Sequence, residues 1–108
     1  MWELISSMDL ERYLDEKREI FLADLREPRD YRAGHIRGAV NFPGNSWQVR
    51  ISEFPRDRLI VLYCYHGPNS LLAARKLSAM GFWTADLYGG IYGYQGKYLT
   101  APEAEDFR

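Results

Sequence analysis

The clearest signal along the chain is an unbroken apolar run, Leu59-Ile60-Val61-Leu62-Tyr63, which ends at Cys64. A run with no polar alternation suits a strand covered on both faces, as in a parallel sheet. Ile20-Phe21-Leu22-Ala23, closed by Asp24-Leu25-Arg26, has the same character. Trp2 to Ile5 predicts a short first strand, and Ala39-Val40-Asn41-Phe42 another, stopped by Pro43-Gly44. Trp83, Ala85 and Leu87 alternate with Thr84, Asp86 and Tyr88, the period of a strand with two unlike faces. Helical patterns lie between these runs. Ser6 or Ser7 caps a helix carrying Leu10, Tyr13 and Leu14 on one face. Pro28 opens a short helix through Tyr31 that Gly34 ends, and Ser46 to Phe54 predicts a further helix before the turn Pro55-Arg56-Asp57. A helix from about Ser70 to Met80 turns Ala73, Ala74, Leu77 and Met80 inward and Arg75 and Lys76 to water, with Gly81 in the turn beyond. Gly89-Gly90 then breaks the chain before a last short helix from Ile91.

Strand and helix in repetition imply crossover connections and a parallel sheet with helices on both faces. In such sheets ligands collect at the carboxyl ends of the strands. Cys64 stands at one of those ends.

Composition narrows what that cysteine can be. At 108 residues the chain has room for one domain over 1–108, and acidic residues near its end predict a frayed tail from about residue 100. A net charge of −1 with scattered arginines gives no reason to expect nucleic acid or a membrane surface as partner. No apolar stretch is long enough to span a bilayer, and Glu3, Asp9 and Glu11 argue against a secretory signal. With one Cys there is neither an internal disulfide nor a multi-thiolate zinc site, and His35 and His66 lie far apart. A reducing, cytoplasmic setting is the expectation. The bland alternative is a core thiol packed as a small hydrophobe.

The position supplies the chemistry. A thiol between a strand and a helix sits near the unpaired N–H groups of the helix start, where negative charge is favoured. If the loop curls round the sulfur, successive N–H groups converge on it as an anion nest, and Gly67 permits the backbone bend this needs. Such a nest holds a thiolate, the outer sulfur of a persulfide, or a small oxyanion. Ser70 has the alternative role of capping the helix.

Asp24-Leu25-Arg26-Glu27, Tyr31 and the run Gly34-His35-Ile36-Arg37-Gly38-Ala39-Val40-Asn41 together resemble the first signature of rhodanese-like domains. Cys64-Tyr65-His66-Gly67-Pro68-Asn69-Ser70 resembles their active-site loop, and Gly81-Phe82 with Gly89-Gly90-Ile91 the pieces that follow. Tyr94 stands where a Trp is common. The resemblance covers about Ile5 to Leu99. It implies an α/β, three-layer fold around a mostly parallel sheet of about five strands, with helices on both faces. It also implies a sulfurtransferase in which Cys64 attacks a donor such as thiosulfate, becomes a persulfide and passes the outer sulfur to a small or protein thiol acceptor. No cofactor or metal is implied. Tyr65, His66, Gly67, Pro68, Asn69 and Ser70 would form the substrate-binding loop. Asp24 and His35 would be structural, His35 holding backbone or Asp24, while Arg26 pairs with Asp24 and lends positive field to an anionic substrate.

Two departures separate this chain from that pattern. Asn69 stands where many active members carry an Arg, whose fork binds a sulfonate with fixed charge. Pro68 has no N–H to offer the sulfur. A persulfide is therefore expected to form, with thiosulfate a poor donor. Two other readings compete: a non-catalytic interaction module, and a phosphatase or arsenate reductase of the same fold. The last resembles a longer loop closed by Arg, whereas Cys64 to Asn69 spans six residues and Ser70 follows.

Overall fold

The apolar runs assemble into one sheet of five parallel strands in the computed structural model, which describes residues 1–100. The strands are β1 (Trp2–Ile5), β2 (Ile20–Asp24), β3 (Val40–Asn41), β4 (Leu59–Tyr63) and β5 (Thr84–Leu87), in the spatial order β1-β5-β4-β2-β3. Helices α1 (Ser7–Asp15), α2 (Pro28–Ala33) and α3 (Pro68–Ala79) lie in the connections. β4 is central, paired with β2 from Ile20↔Leu59 to Asp24↔Tyr63 and with β5 from Ile60↔Thr84 to Leu62↔Asp86. Its side chains alternate between two cores. Leu59, Val61 and Tyr63 join Ile5, Leu10, Tyr13 and Leu87, whereas Ile60, Leu62 and Cys64 join Ala73, Ala74, Leu77 and Phe82. Two cores on one sheet make three layers, the expected architecture. Burial on both faces is why these runs carry no polar alternation.

Local chemistry sets the element ends. Ser6 is the N-cap of α1: its Oγ accepts the Asp9 N–H at 3.0 Å, and the Asp9 carboxylate accepts the Ser6 N–H at 2.9 Å. α3 begins at Pro68, two residues earlier than predicted, because a fixed φ suits the first helical position. Ser70 therefore lies inside the first turn and does not cap the helix. Met80, at the far end of α3, is exposed rather than inward. The helix predicted for Ser46–Phe54 is instead two separate 3-10 turns, Ser46–Gln48 and Ile51–Glu53. Between them Arg50 donates to the Asn41 carbonyl at 2.8 Å and to both Glu53 oxygens, while Trp47 and Phe54 are buried on either side. These anchors override a weak helical propensity. β5 shows no two-faced alternation either, since Thr84 to Leu87 are all buried between β1 and β4.

The segment after β5 folds back on α1. Tyr94 Oη donates to Glu11 Oε1 at 2.7 Å, the Lys97 N–H to Glu11 Oε2 at 3.1 Å, and Tyr98 Oη to Asp15 at 2.7 Å. Thr100 is anchored, not frayed: its N–H donates to the His35 carbonyl at 2.7 Å. The rest of the expected tail, residues 101–108, lies outside the described residues. Among the described residues no helix is long and apolar enough to cross a membrane.

Candidate active site

Cys64 follows the last residue of β4, and the turn Tyr65-His66-Gly67 carries the chain into α3. Neighbouring backbone holds that strand end on two sides. The Leu25 N–H donates to the Tyr63 carbonyl at 2.9 Å, and the Ile91 N–H donates to the Cys64 carbonyl at 2.9 Å. Gly67 is the N-cap of α3 with φ +128°, a backbone region that a side chain disfavours. That bend aims the Gly67 N–H at Cys64 Sγ, 3.2 Å away. Ser70 Oγ lies 3.4 Å from the same sulfur. Among the described residues these are the hydrogen bonds that reach Sγ. The converging set of main-chain donors predicted from the sequence thus reduces to one amide and one hydroxyl, and Pro68 has no N–H to add.

Cys64 is only 4% exposed, yet it opens on a shallow pocket of about 230 Å³ lined also by Tyr65, His66, Pro68 and Asn69. The sulfur is therefore neither sealed in hydrocarbon nor projecting into solvent. The lining contains no Lys or Arg. His66 is exposed and packs edge-on against Tyr92, with ring centroids 4.7 Å apart. The Tyr92 ring thus packs against both Tyr65 and His66.

Arg26 does not reach this pocket. Its guanidinium grips the buried Asp24 carboxylate through Nε and Nη2 (2.9 Å for the shortest contact) and donates to the Gly34 carbonyl at 2.6 Å. Burial works against its charge, and the Asp24 carboxylate more than offsets that and holds the guanidinium protonated. Arg26 lines a separate cavity of about 340 Å³ that meets the Cys64 pocket through Tyr65. Its charge is thus spent on Asp24, and direct support of a substrate at Cys64 is not what the geometry provides. Tyr65 Oη bonds the Asp30 carboxylate and accepts the Glu27 N–H at 3.2 Å, tying the loop to α2. His35 holds backbone through Nδ1, 2.8 Å from the Tyr31 carbonyl, and stacks on the Tyr31 ring; it does not reach Asp24.

Asp86 is the site residue that sequence reasoning missed. It is 1% exposed, and its Oδ1 accepts from Ser70 Oγ, which also lies 3.1 Å from the Gly67 carbonyl as an alternative acceptor. The period-two pattern marked a strand through Asp86 without saying what covers it. The topology puts β5 inside a parallel sheet, where a polar side chain needs a partner. Burial pushes its pKa up to about 6, with the Ser70 hydrogen bond opposing the rise. A carboxyl held protonated longer in the native state costs stability as pH rises from about 4 to about 6, because the native state then binds more protons than the unfolded one. Asp86→Asn is therefore expected to flatten this fall, leaving the variant at least as stable as the native chain above that window. Urea midpoints at several pH values across it would show a parallel slope in both proteins if the assignment were wrong.

Comparison with known proteins decides the family. The model of the rhodanese-like domain matches residues 6–97. The chain belongs to the rhodanese-like domain family. This rhodanese-like domain is 33% identical to a protein named sulfurtransferase from Allochromatium vinosum, over 92% of its own length and 95% of that protein. It is 34% identical to the thiosulfate sulfurtransferase GlpE of Pseudoalteromonas translucida, over 82% and 85% of the two chains. Its fold superposes on a rhodanese-like domain protein from Staphylococcus aureus with a TM-score of 0.84, covering 94% and 99% of the chains at 20% identity. Among the described residues no cluster of three or more His, Cys, Asp or Glu side chains could hold a metal ion.

Proposed function

We propose that this rhodanese-like domain is a sulfurtransferase or persulfide carrier in which Cys64 takes a sulfur atom from a donor and hands it to a thiol. The observation that carries the reading is a sulfur at a strand end, open to a small pocket, that receives the Gly67 N–H and lies beside the Ser70 hydroxyl. The Gly67 N–H and the start of α3 favour negative charge there. A thiolate attacks the sulfane sulfur, the donor's S–S bond breaks, and its remaining electron pair leaves with the sulfite or thiol. The persulfide's outer sulfur then occupies the pocket between His66 and Asn69 for attack by the acceptor. A reducing, cytoplasmic setting suits this lone thiol. The names of the two sulfurtransferase relatives support the reaction class.

The charge of the pocket bears on the donor. Thiosulfate is a dianion, and the lining offers it no Lys or Arg. A monoanionic or neutral persulfide loses less by that deficit, and is the donor expected to work best. Asn69, exposed at the pocket rim, is the position from which a guanidinium would reach the sulfonate. Asn69→Arg is expected to raise kcat/KM for thiosulfate about tenfold, the effect of one charge-assisted forked contact. Steady-state assays in which the variant folds normally and gains nothing would remove this explanation. The main test is intact mass of the reduced protein after incubation with thiosulfate or a small persulfide. One added sulfur is expected, absent in Cys64→Ser; no uptake from any donor would leave an interaction module as the better reading.

A further inference from the structure

Sulfur transfer as described uses Cys64, Gly67 and Ser70 but gives the buried carboxylate behind them no task. We propose that Asp86 takes up, through the Ser70 hydroxyl, the proton that Cys64 loses when it is loaded with sulfur. The inference rests on the reading of Cys64 as a sulfur acceptor. Ser70 is fully buried, and its single hydroxyl proton has three acceptors within reach: Asp86 Oδ1, the Gly67 carbonyl and Cys64 Sγ. A hydroxyl that accepts from one neighbour while donating to another relays a proton without moving its oxygen. Asp86 touches no substrate, so it is a positioning and proton-holding residue that acts through Ser70.

The step balances. Cys64–SH, thiosulfate and the Asp86 carboxylate become Cys64–S–S⁻, sulfite and the Asp86 carboxylic acid. The donor S–S bond and the thiol S–H bond break, while the persulfide S–S bond and the carboxyl O–H bond form. The site itself carries one negative charge before and after. Loading without proton uptake would leave two anions bridged by one hydroxyl, which like-charge repulsion opposes. With Asp86 protonated, its O–H donates to Ser70, and the Ser70 hydroxyl is free to donate to the sulfur.

The surroundings of Asp86 leave the carboxylate charge without a cation. Leu4 of β1 and Leu62 of β4 flank it in the sheet register, and Ser70 and Leu71 face it from α3. His66, Gly67 and Pro68 approach from the loop, and Tyr88 and Gly89 from the turn after β5. Of these only His66 and Tyr88 titrate; both are exposed. No Lys or Arg lines this cavity of about 410 Å³. Burial pushes the carboxyl's pKa up to about 6, so that it holds a proton more readily than an exposed aspartate.

The test follows the Asp86 carboxyl carbon by NMR across pH in the full chain, with Cys64 reduced and then persulfidated. The midpoint is expected to rise by about one pH unit or more on loading, and by half that or less in Ser70→Ala. A midpoint that does not move overturns the inference. So does an equal rise without Ser70, which would be repulsion through space. A second measurement needs no donor: thiolate absorbance of the reduced protein, corrected with Cys64→Ser. The thiol is expected to titrate about one unit lower in Asp86→Asn than in the native chain, because the competing charge is gone. Coincident curves overturn the Asp86 inference alone, whereas failure to load from any donor overturns the sulfur-carrier reading beneath it.

Discussion

Gly90→Ala is expected to abolish sulfur uptake and to cost about 2–5 kcal/mol of stability in urea unfolding. Gly90 sits at φ +62° and ψ −161°, a region essentially closed to residues with a side chain. A Cβ there would lie 2.7 Å from the Cys64 carbonyl oxygen and closer still to that of Tyr65. Those atoms belong to the backbone that carries the Cys64 side chain, so relief of the clash must displace it. Gly89 provides the control. It also has positive φ (+81°), but a Cβ would meet only Gly93 Cα at 3.6 Å. Gly89→Ala should therefore cost about 1–2 kcal/mol and retain uptake. Equal losses in the two variants would mean that backbone strain, and not contact with the loop, explains both.

Asp24→Ala is expected to cost about 3–5 kcal/mol, because it leaves the Arg26 guanidinium buried without its counter-charge. Arg26 is 6% exposed and would retain the Gly34 carbonyl and the rings of Tyr63 and Tyr65, none of which carries a counter-charge. The substitution also frees the Arg26 N–H, which Asp24 Oδ1 accepts at 2.8 Å, and so loosens the chain between β2 and α2. Removing both charges tests the cause. The double variant Asp24→Ala, Arg26→Leu should unfold at a higher urea concentration than Asp24→Ala alone, since no uncompensated ion remains. A double variant weaker than the single one would contradict the desolvation argument.

How much of this was legible in the sequence depended on which physical signal each element carries. β2 and β4 were readable because burial on both faces removes polar residues from the run itself. Ser6 was readable as a cap, since the reason for its side chain is local. The Ser46–Phe54 region was misread because its shape follows from Arg50 reaching Asn41, a contact across chain positions that no periodicity records. The place of Cys64 between a strand and a helix was legible from the apolar run that ends at it. Asp86 was not, for a pattern of alternate residues says nothing about whether a strand is at the edge or inside. Only the strand order, β1-β5-β4-β2-β3, turns that aspartate into a buried group behind Ser70.

The return of the Tyr94–Tyr98 segment to α1, together with β1 lying beside β5, has a kinetic consequence. Trp2–Ile5 pair with Thr84–Leu87, and Glu11 meets Tyr94 and Lys97, so the earliest and latest described stretches become neighbours only after everything between them is arranged. Closing so long a loop is slow relative to forming helices or adjacent strands. Edge strand and clasp should accordingly arrive late in refolding and open early under stress, with the amides of Trp2–Ile5 exchanging hydrogen ahead of those of Leu59–Tyr63.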